Sequence, residues 1–203
     1  MQLPKVYPIT DTEISGKTHK EQVMCLIEGG ASLIQIRDKS ASSGRFYAEA
    51  LEALKIARSN NVKIIINDRC DIAYLIGADG VHLGQDDISP VEARKFLGPN
   101  AIIGYSTHNQ SQALEALKMP IDYISVGPIF ATNTKEDPDP IVGLDGLRAI
   151  RKLIKELPIV AIGGINLQNA KSVFDAGADS IAIISDLLSG EDIAQRMEAF
   201  NKI

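Results

Sequence analysis

Eight short apolar runs, each followed by a longer segment of helical period, constrain this chain more than any other feature. The runs are KVYPIT, SLIQIR, KIIIN, GVHL, AIIGYS, DYISVG, PIVAIG and DSIAII. Several are apolar almost throughout, as strands are when both faces are covered. The segments between them suit helices packed on a sheet. Phe46, Ala50, Leu51, Leu54 and Ala57 share one helical face while Arg45, Glu49, Glu52 and Lys55 take the other, and Leu144, Leu147, Ile150, Ile154 and Leu157 repeat the apolar pattern. Three stretches, GGASLIQI, IGADGVHL and AGADSIAI, reuse one joint: a helix-ending glycine, a small residue and a buried strand. Eight βα units predict an α/β fold, a closed (β/α)8 TIM barrel occupying residues 1–203 as a single catalytic domain. An open doubly wound sheet is the alternative, and it lacks its GxGxxG after the first strand.

Composition narrows the partners. A chain of 203 residues that is 45% hydrophobic can bury one substantial core, and no stretch reads as a linker. The formal net charge of -5 lacks the basic field of a general nucleic-acid or anionic-membrane binder, so an anionic ligand needs a local basic site or a metal. Cys25 and Cys70 form no CxxC pair, which points to neither a zinc site nor a disulfide framework and suits a reducing cytoplasm. With no apolar leader and no run long enough to cross a bilayer, the expectation is a soluble, unprocessed cytoplasmic protein.

In a barrel of this kind the chemistry lies at the carboxyl ends of the strands. The second strand ends in QIRDK, where Gln35, Arg37 and Lys39 alternate along extended chain and either converge on one anion or line a solvated loop. The third ends in NDRCDIA, where Asn67 and Asp68 either cap the next helix or serve a ligand. The fourth supplies Asp86 and Asp87 one strand away, and carboxylates on neighbouring strand ends beside anion binders suit Mg2+ carrying substrate phosphates. The fifth ends in GYSTH, bringing Ser106, Thr107 and His108 to the same rim; His82, inside a strand, reads as a satisfied core residue. Gly163 and Gly164 after the seventh strand make either a tight turn or a backbone cradle for phosphate. No serine, histidine and acid set suggests a hydrolase. Two anion sites on one mouth, one metal-assisted and one metal-free, suggest the joining of two phosphorylated molecules.

The motifs YPITD, QIRDK, NDRCDIA, ADGVHLGQDD, IGYSTH, GPIFATNTK, AIGGI and IIS, in this order along nearly the whole chain, resemble those of thiamine phosphate synthases. The resemblance implies a transferase that couples a pyrimidine methyl pyrophosphate to a thiazole phosphate and releases pyrophosphate, with CO2 also lost when the thiazole is carboxylated. It implies that Gln35, Arg37, Lys39, Asn67, Ser106 and Lys135 bind the pyrimidine pyrophosphate, with Lys39, Lys135 and Ser106 closest to the chemistry. Asp68 and Asp87 would hold Mg2+, and Thr132, Thr134, Gly164, Ile184 and Ser185 would bind the thiazole phosphate. One departure stands out: Asp186 follows Ser185 where the family usually has a small residue, so its carboxylate either points away or weakens phosphate binding.

Three rivals use the same barrel. A thiazole tautomerase typically has glycine where this chain has Asp68 and a catalytic histidine where it has Pro128. A Schiff-base aldolase would carry a lysine in the sixth strand, which has none. A catalytically silent sensor of a phosphorylated ligand would not need Asp68, Asp87, Lys39 and Lys135 together. The stretch GPIFATNTKEDPDPIVG, residues 127–143, is long for a connection and reads as a lid. Its ATNTK part offers two hydroxyls and a cation to both substrates, and its EDPDP part is expected to be a solvated outer arm without chemistry.

Overall fold

The structure, a computed structural model describing residues 2–132 and 139–203, closes eight parallel strands into a barrel in chain order, with the first strand hydrogen-bonded to the last. The strands are β1 (Val6–Thr10), β2 (Leu33–Ile36), β3 (Lys63–Asn67), β4 (Gly80–Leu83), β5 (Ile102–Thr107), β6 (Tyr123–Val126), β7 (Ile159–Ile162) and β8 (Ser180–Ile183). Each coincides with an apolar run of the sequence to within one residue. The helices among the described residues are α1 (Thr12–Ser15), α2 (His19–Glu28), α3 (Ser43–Ser59), α4 (Cys70–Ile76), α5 (Pro90–Leu97), α6 (Gln110–Ala116), α7 (Gly143–Ile154), α8 (Ala170–Asp175), α9 (Ser185–Leu188) and α10 (Ile193–Asn201). Among the described residues, no helix is long and apolar enough to cross a membrane.

Local chemistry explains where helices begin. Thr18 and Glu21 form a reciprocal capping box at the start of α2, and Ser42, Ser89 and Asn109 each cap the helix that follows with a side-chain oxygen. Pro90 stands at the first helical position of α5, where its missing N–H costs nothing.

Strands that are apolar on both faces feed two layers of core. Ile9, Leu33, Ile65, Ile102, Val160 and Ala182 fill the barrel interior with Tyr7 and Tyr123. Their neighbours, Ile64 and Ile66 for example, face outward against the helices, where Phe46, Ala50, Leu54 and Ala57 of α3 and Leu147, Ile150 and Ile154 of α7 are buried. Gly104 is required by this interior, because a Cβ there would lie 2.1 Å from the Tyr123 ring and 2.4 Å from His82 Nδ1.

Acids that precede three of the even-numbered strands, two of them in the recurring joint, act at the amino end of the barrel. Asp79, Asp122 and Asp179, each just before an even-numbered strand, accept a hydrogen bond of 2.8 Å from the N–H of Ile64, Ile103 and Ile159 respectively on the preceding odd-numbered strand. Arg94 pairs with Asp122 and Arg151 with Asp179. These clamps pin strand register at one end of the barrel and leave the carboxyl ends free for function.

Candidate active site

A cavity of about 490 Å³ opens at the carboxyl ends of the strands. Gln35, Arg37, Lys39, Asn67, Asp68, Asp87, Ser106, Thr132, Gly164, Ile184 and Ser185 all line it. Thr134 and Lys135, with the rest of residues 133–138 in the middle of the expected lid, lie outside the described residues.

One wall, from β2 to β4, is charged. Arg37 Nη1 donates to Asp11 Oδ2 over 2.5 Å, which fixes one edge of the guanidinium while the side chain still reaches the cavity. Lys39 pairs with Asp68 across the neighbouring strand ends. Asp68 itself has a left-handed backbone, φ 59°, a conformation that aspartate tolerates better than most residues, and its N–H donates to the His82 carbonyl over 2.8 Å. That sharp turn aims the carboxylate at the mouth instead of along the helix, so Asp68 does not cap α4, whose start has no side-chain cap. Asp87 Oδ2 accepts from the Gly84 N–H over 2.7 Å. Burial, reinforced by the Asp68 carboxylate, nevertheless pushes Asp87 above the usual carboxylate range. Two oxygen donors from adjacent strands therefore face each other with more negative charge than Lys39 alone can offset, and this is a donor set suited to a hard divalent cation.

The floor is a chain of neutral hydrogen bonds. Gln35 Nε2 donates to Tyr7 Oη at 3.2 Å, Tyr7 Oη lies 3.0 Å from Tyr123 Oη, and that oxygen lies 3.0 Å from His82 Nδ1. His82 Nε2 lies 2.9 Å from Ser106 Oγ and 3.3 Å from Ser125 Oγ. Burial pushes the His82 pKa down to about 4, so the ring is neutral at ordinary pH and orients Ser106 without adding charge. The sequence assigned His82 to the core; it is indeed buried and satisfied, yet it also lines the cavity.

The opposite wall, at β7 and β8, carries no charged side chain among the lining residues: Gly163, Gly164, Ile165, Ile184 and Ser185 form it. Both glycines have left-handed backbones, with φ 102° and 63°. A Cβ on Gly164 would lie 2.5 Å from the Ala131 carbonyl oxygen and one on Gly163 would lie 2.6 Å from Pro128 Cα, so the pair lets the β6 loop cross against the end of β7. Asp186 is turned away from this wall. Arg196 of α10 grips its carboxylate, Nη2 lying 2.8 Å from both oxygens, and Asp186 does not line the cavity.

Several lining residues were not assigned a role from the sequence. Tyr7, His82 and Ser125 carry polar atoms on inward positions of apolar strands, and that combination is the signal that marks them. His108 Nδ1–H donates to the Gly127 carbonyl over 2.7 Å, and the Asp139 carboxylate lies 3.5 Å from the same nitrogen. Asp139 also lines the cavity, which corrects the expectation that the whole EDPDP stretch stands out in solvent. A hydrogen bond of 2.8 Å from the Val142 N–H to the Pro128 carbonyl draws the two ends of the loop together and returns the chain to the mouth.

The chain is similar to known proteins over nearly its whole length. A thiamine-phosphate synthase of Chloroflexus aurantiacus is 47% identical over 190 residues, covering 93% of this chain and 87% of that protein. One of Koribacter versatilis is 46% identical over 208 residues, covering 100% and 97%. Among solved structures, the thiamine phosphate pyrophosphorylase of Pyrococcus furiosus superposes with a TM-score of 0.88 at 38% identity, covering 98% of this chain and 94% of that one. A family model described as thiamine monophosphate synthase matches residues 6–187, and the chain belongs to that family.

Proposed function

We propose that this protein joins a 4-amino-2-methyl-5-pyrimidinylmethyl pyrophosphate to a thiazole phosphate, or to its carboxylated form with loss of CO2, giving thiamine monophosphate and pyrophosphate. The observation that carries the reading is a single cavity with a basic, carboxylate-bearing wall at β2–β4 facing an uncharged wall of glycine and hydroxyl at β7–β8. Two phosphorylated substrates with different fates match two such walls.

The residues divide the work accordingly. Arg37, anchored by Asp11, and the more mobile Lys39 bind the pyrophosphate, and Gln35, Asn67 and Ser106 hydrogen-bond the pyrimidine half. Asp68 and Asp87 fit Mg2+, which when bound would neutralise negative charge on the departing pyrophosphate. Ser106 is held at its post by His82. An electron-rich aminopyrimidine supports a cationic exocyclic methylene, so basic groups that stabilise the leaving pyrophosphate lower the barrier without a protein nucleophile. Thr132, Gly164, Ile184 and Ser185 bind the thiazole phosphate and hold its ring nitrogen toward that carbon, and such orientation is worth several kcal/mol, ~7–11 in the most favourable intramolecular cases. On sequence alone, Thr134 joins the second group and Lys135 the first.

Pyrophosphate release by the purified protein, with both substrates present and Mg2+ supplied or chelated, tests the reading. Metal-dependent turnover is expected. Full activity in chelator would remove the cation from Asp68 and Asp87, and binding of the phosphorylated ligands without turnover on either form of the thiazole would favour a sensor.

A further inference from the structure

Behind the charged wall, outside the cavity, lies a second group of ligand-bearing side chains. His19 in the first turn of α2, Asp38 in the β2–α3 loop and Glu49 of α3 bring one imidazole nitrogen and two carboxylate oxygens within 4.8 Å of one another. His19 is fully buried, and its Nε2 makes no hydrogen bond although Asp38 Oδ2 lies only 3.4 Å away. Glu49 Oε2 is likewise buried without a hydrogen bond. Leaving a buried polar atom unpaired costs about 1–3 kcal/mol, so two such atoms in one group of ligand-bearing side chains call for a missing partner.

The other atoms of the three side chains are already committed. His19 Nδ1 lies 2.8 Å from Thr10 Oγ1, Asp38 Oδ1 accepts from the Ser40 and Ala41 N–H groups, and Glu49 Oε1 accepts from Arg45 Nε. Each residue is thus oriented by one atom and presents the other. A Thr10 contact at Nδ1 is the outer-shell hydrogen bond that fixes a metal-bound imidazole. Burial also keeps the ring pKa low against the pull of Asp38, Glu49 and Asp11, and the neutral ring has a lone pair to give.

We infer that His19 Nε2, Asp38 Oδ2 and Glu49 Oε2 form a structural binding site for a divalent first-row transition metal of the zinc type. Zinc bonds of about 2.0–2.1 Å put tetrahedral donors roughly 3.4 Å apart, which is the His19–Asp38 separation already present, and Glu49 need only move inward. A nitrogen donor favours such a metal over Mg2+ or Ca2+. Glu49, whose side chain is 22% exposed, provides the way in. Because Asp38 lies between Arg37 and Lys39, a bound ion would tie α2 and α3 to the segment that presents both basic residues to the cavity.

The test is a Zn2+ titration of the intact protein in excess Mg2+, read by competition with a chromophoric chelator and by thermal unfolding. One tight equivalent is expected, with a rise in Tm. His19→Gln and Glu49→Gln should each weaken binding by at least about 100-fold and remove the rise in Tm, whereas Asp68→Asn should change neither. Glu49→Gln, at the exposed edge, keeps the test valid if His19→Gln disturbs folding. Wild-type Zn2+ affinity in both His19→Gln and Glu49→Gln, loss of the tight equivalent in Asp68→Asn, or no tight equivalent in the wild type would each overturn the site.

Discussion

The two walls of the cavity differ in how they meet an anion. At β2–β4 the means are charged side chains: Arg37 anchored by Asp11, Lys39 paired with Asp68, and Asp87 raised by burial beside the Asp68 carboxylate. At β7–β8 they are a glycine pair and a hydroxyl, and the acid that follows the hydroxyl in sequence, Asp186, is neutralised by Arg196 and faces elsewhere. On the proposed reading the difference follows from what each phosphate does. The pyrophosphate gains charge as it leaves, so its wall needs charges that respond; the thiazole phosphate keeps its charge throughout, and a rigid neutral cradle suffices.

The largest effect expected from this contrast is at the charged wall. Asp68→Asn should lower Mg2+-dependent pyrophosphate release about 10²–10³-fold. The fold should survive, because asparagine also tolerates the left-handed backbone and the Lys39 partner is well exposed, where ion pairs contribute little. A variant that kept wild-type turnover with an unchanged Mg2+ requirement would move the cation elsewhere and break the contrast.

The floor between the walls belongs with the neutral side, and pH is the way to see it. With the His82 pKa pushed down to about 4 and a usual unfolded value near 6.5, the unfolded chain takes up the proton first as pH falls. The contribution of His82 is therefore complete above pH ~6.5 and lost toward pH ~4, a change of about 3 kcal/mol. His19, also lowered by burial, acts in the same direction. Thermal melts across this window should fall more steeply for the wild type than for His82→Gln, and identical slopes would mean that the buried ring titrates normally.

These two walls were not equally legible in the sequence. The charged residues could be read because each closes a strand that is apolar on both faces, and the barrel rule puts strand ends at one mouth. The floor could not be read so directly. Tyr7 and Tyr123 lie 116 positions apart and meet only because both point inward, beside a Gly104 whose missing Cβ makes the room. Asp186 was visible as an oddity but its answer was not, since Arg196 reaches it from α10 and nothing in the intervening residues indicates that approach. Asp139 was misjudged for a related reason: its composition suits solvent, while the Val142 to Pro128 hydrogen bond brings the chain back.

The neutral wall gives smaller effects. Gly164→Ala combines a left-handed φ of 63° with a Cβ 2.5 Å from a backbone carbonyl, which should cost about 1–3 kcal/mol and lower Tm by roughly 3–10 °C. The shift of the β6 loop should also raise the KM for thiazole phosphate more than that for the pyrimidine substrate. Equal changes in both would indicate that the two walls move as one.

Arg196→Ala is the finest test, because it alters the charge beside the neutral wall without touching any lining residue. Removing the guanidinium leaves the Asp186 carboxylate unpaired next to Ser185, and the repulsion should raise the KM for thiazole phosphate about 3–10-fold, on the order of 1 kcal/mol. Partial exposure of Asp186 means that added salt should shrink the effect. Asp186→Ala in the same background should restore the KM, since the arginine is then unnecessary. The pyrimidine pyrophosphate KM should stay constant throughout, as its wall has its own charges. If the double variant remained as impaired as Arg196→Ala, the role of Arg196 would be packing against Phe200, whose ring it lies over at 5.8 Å, and not the silencing of an acid beside the phosphate.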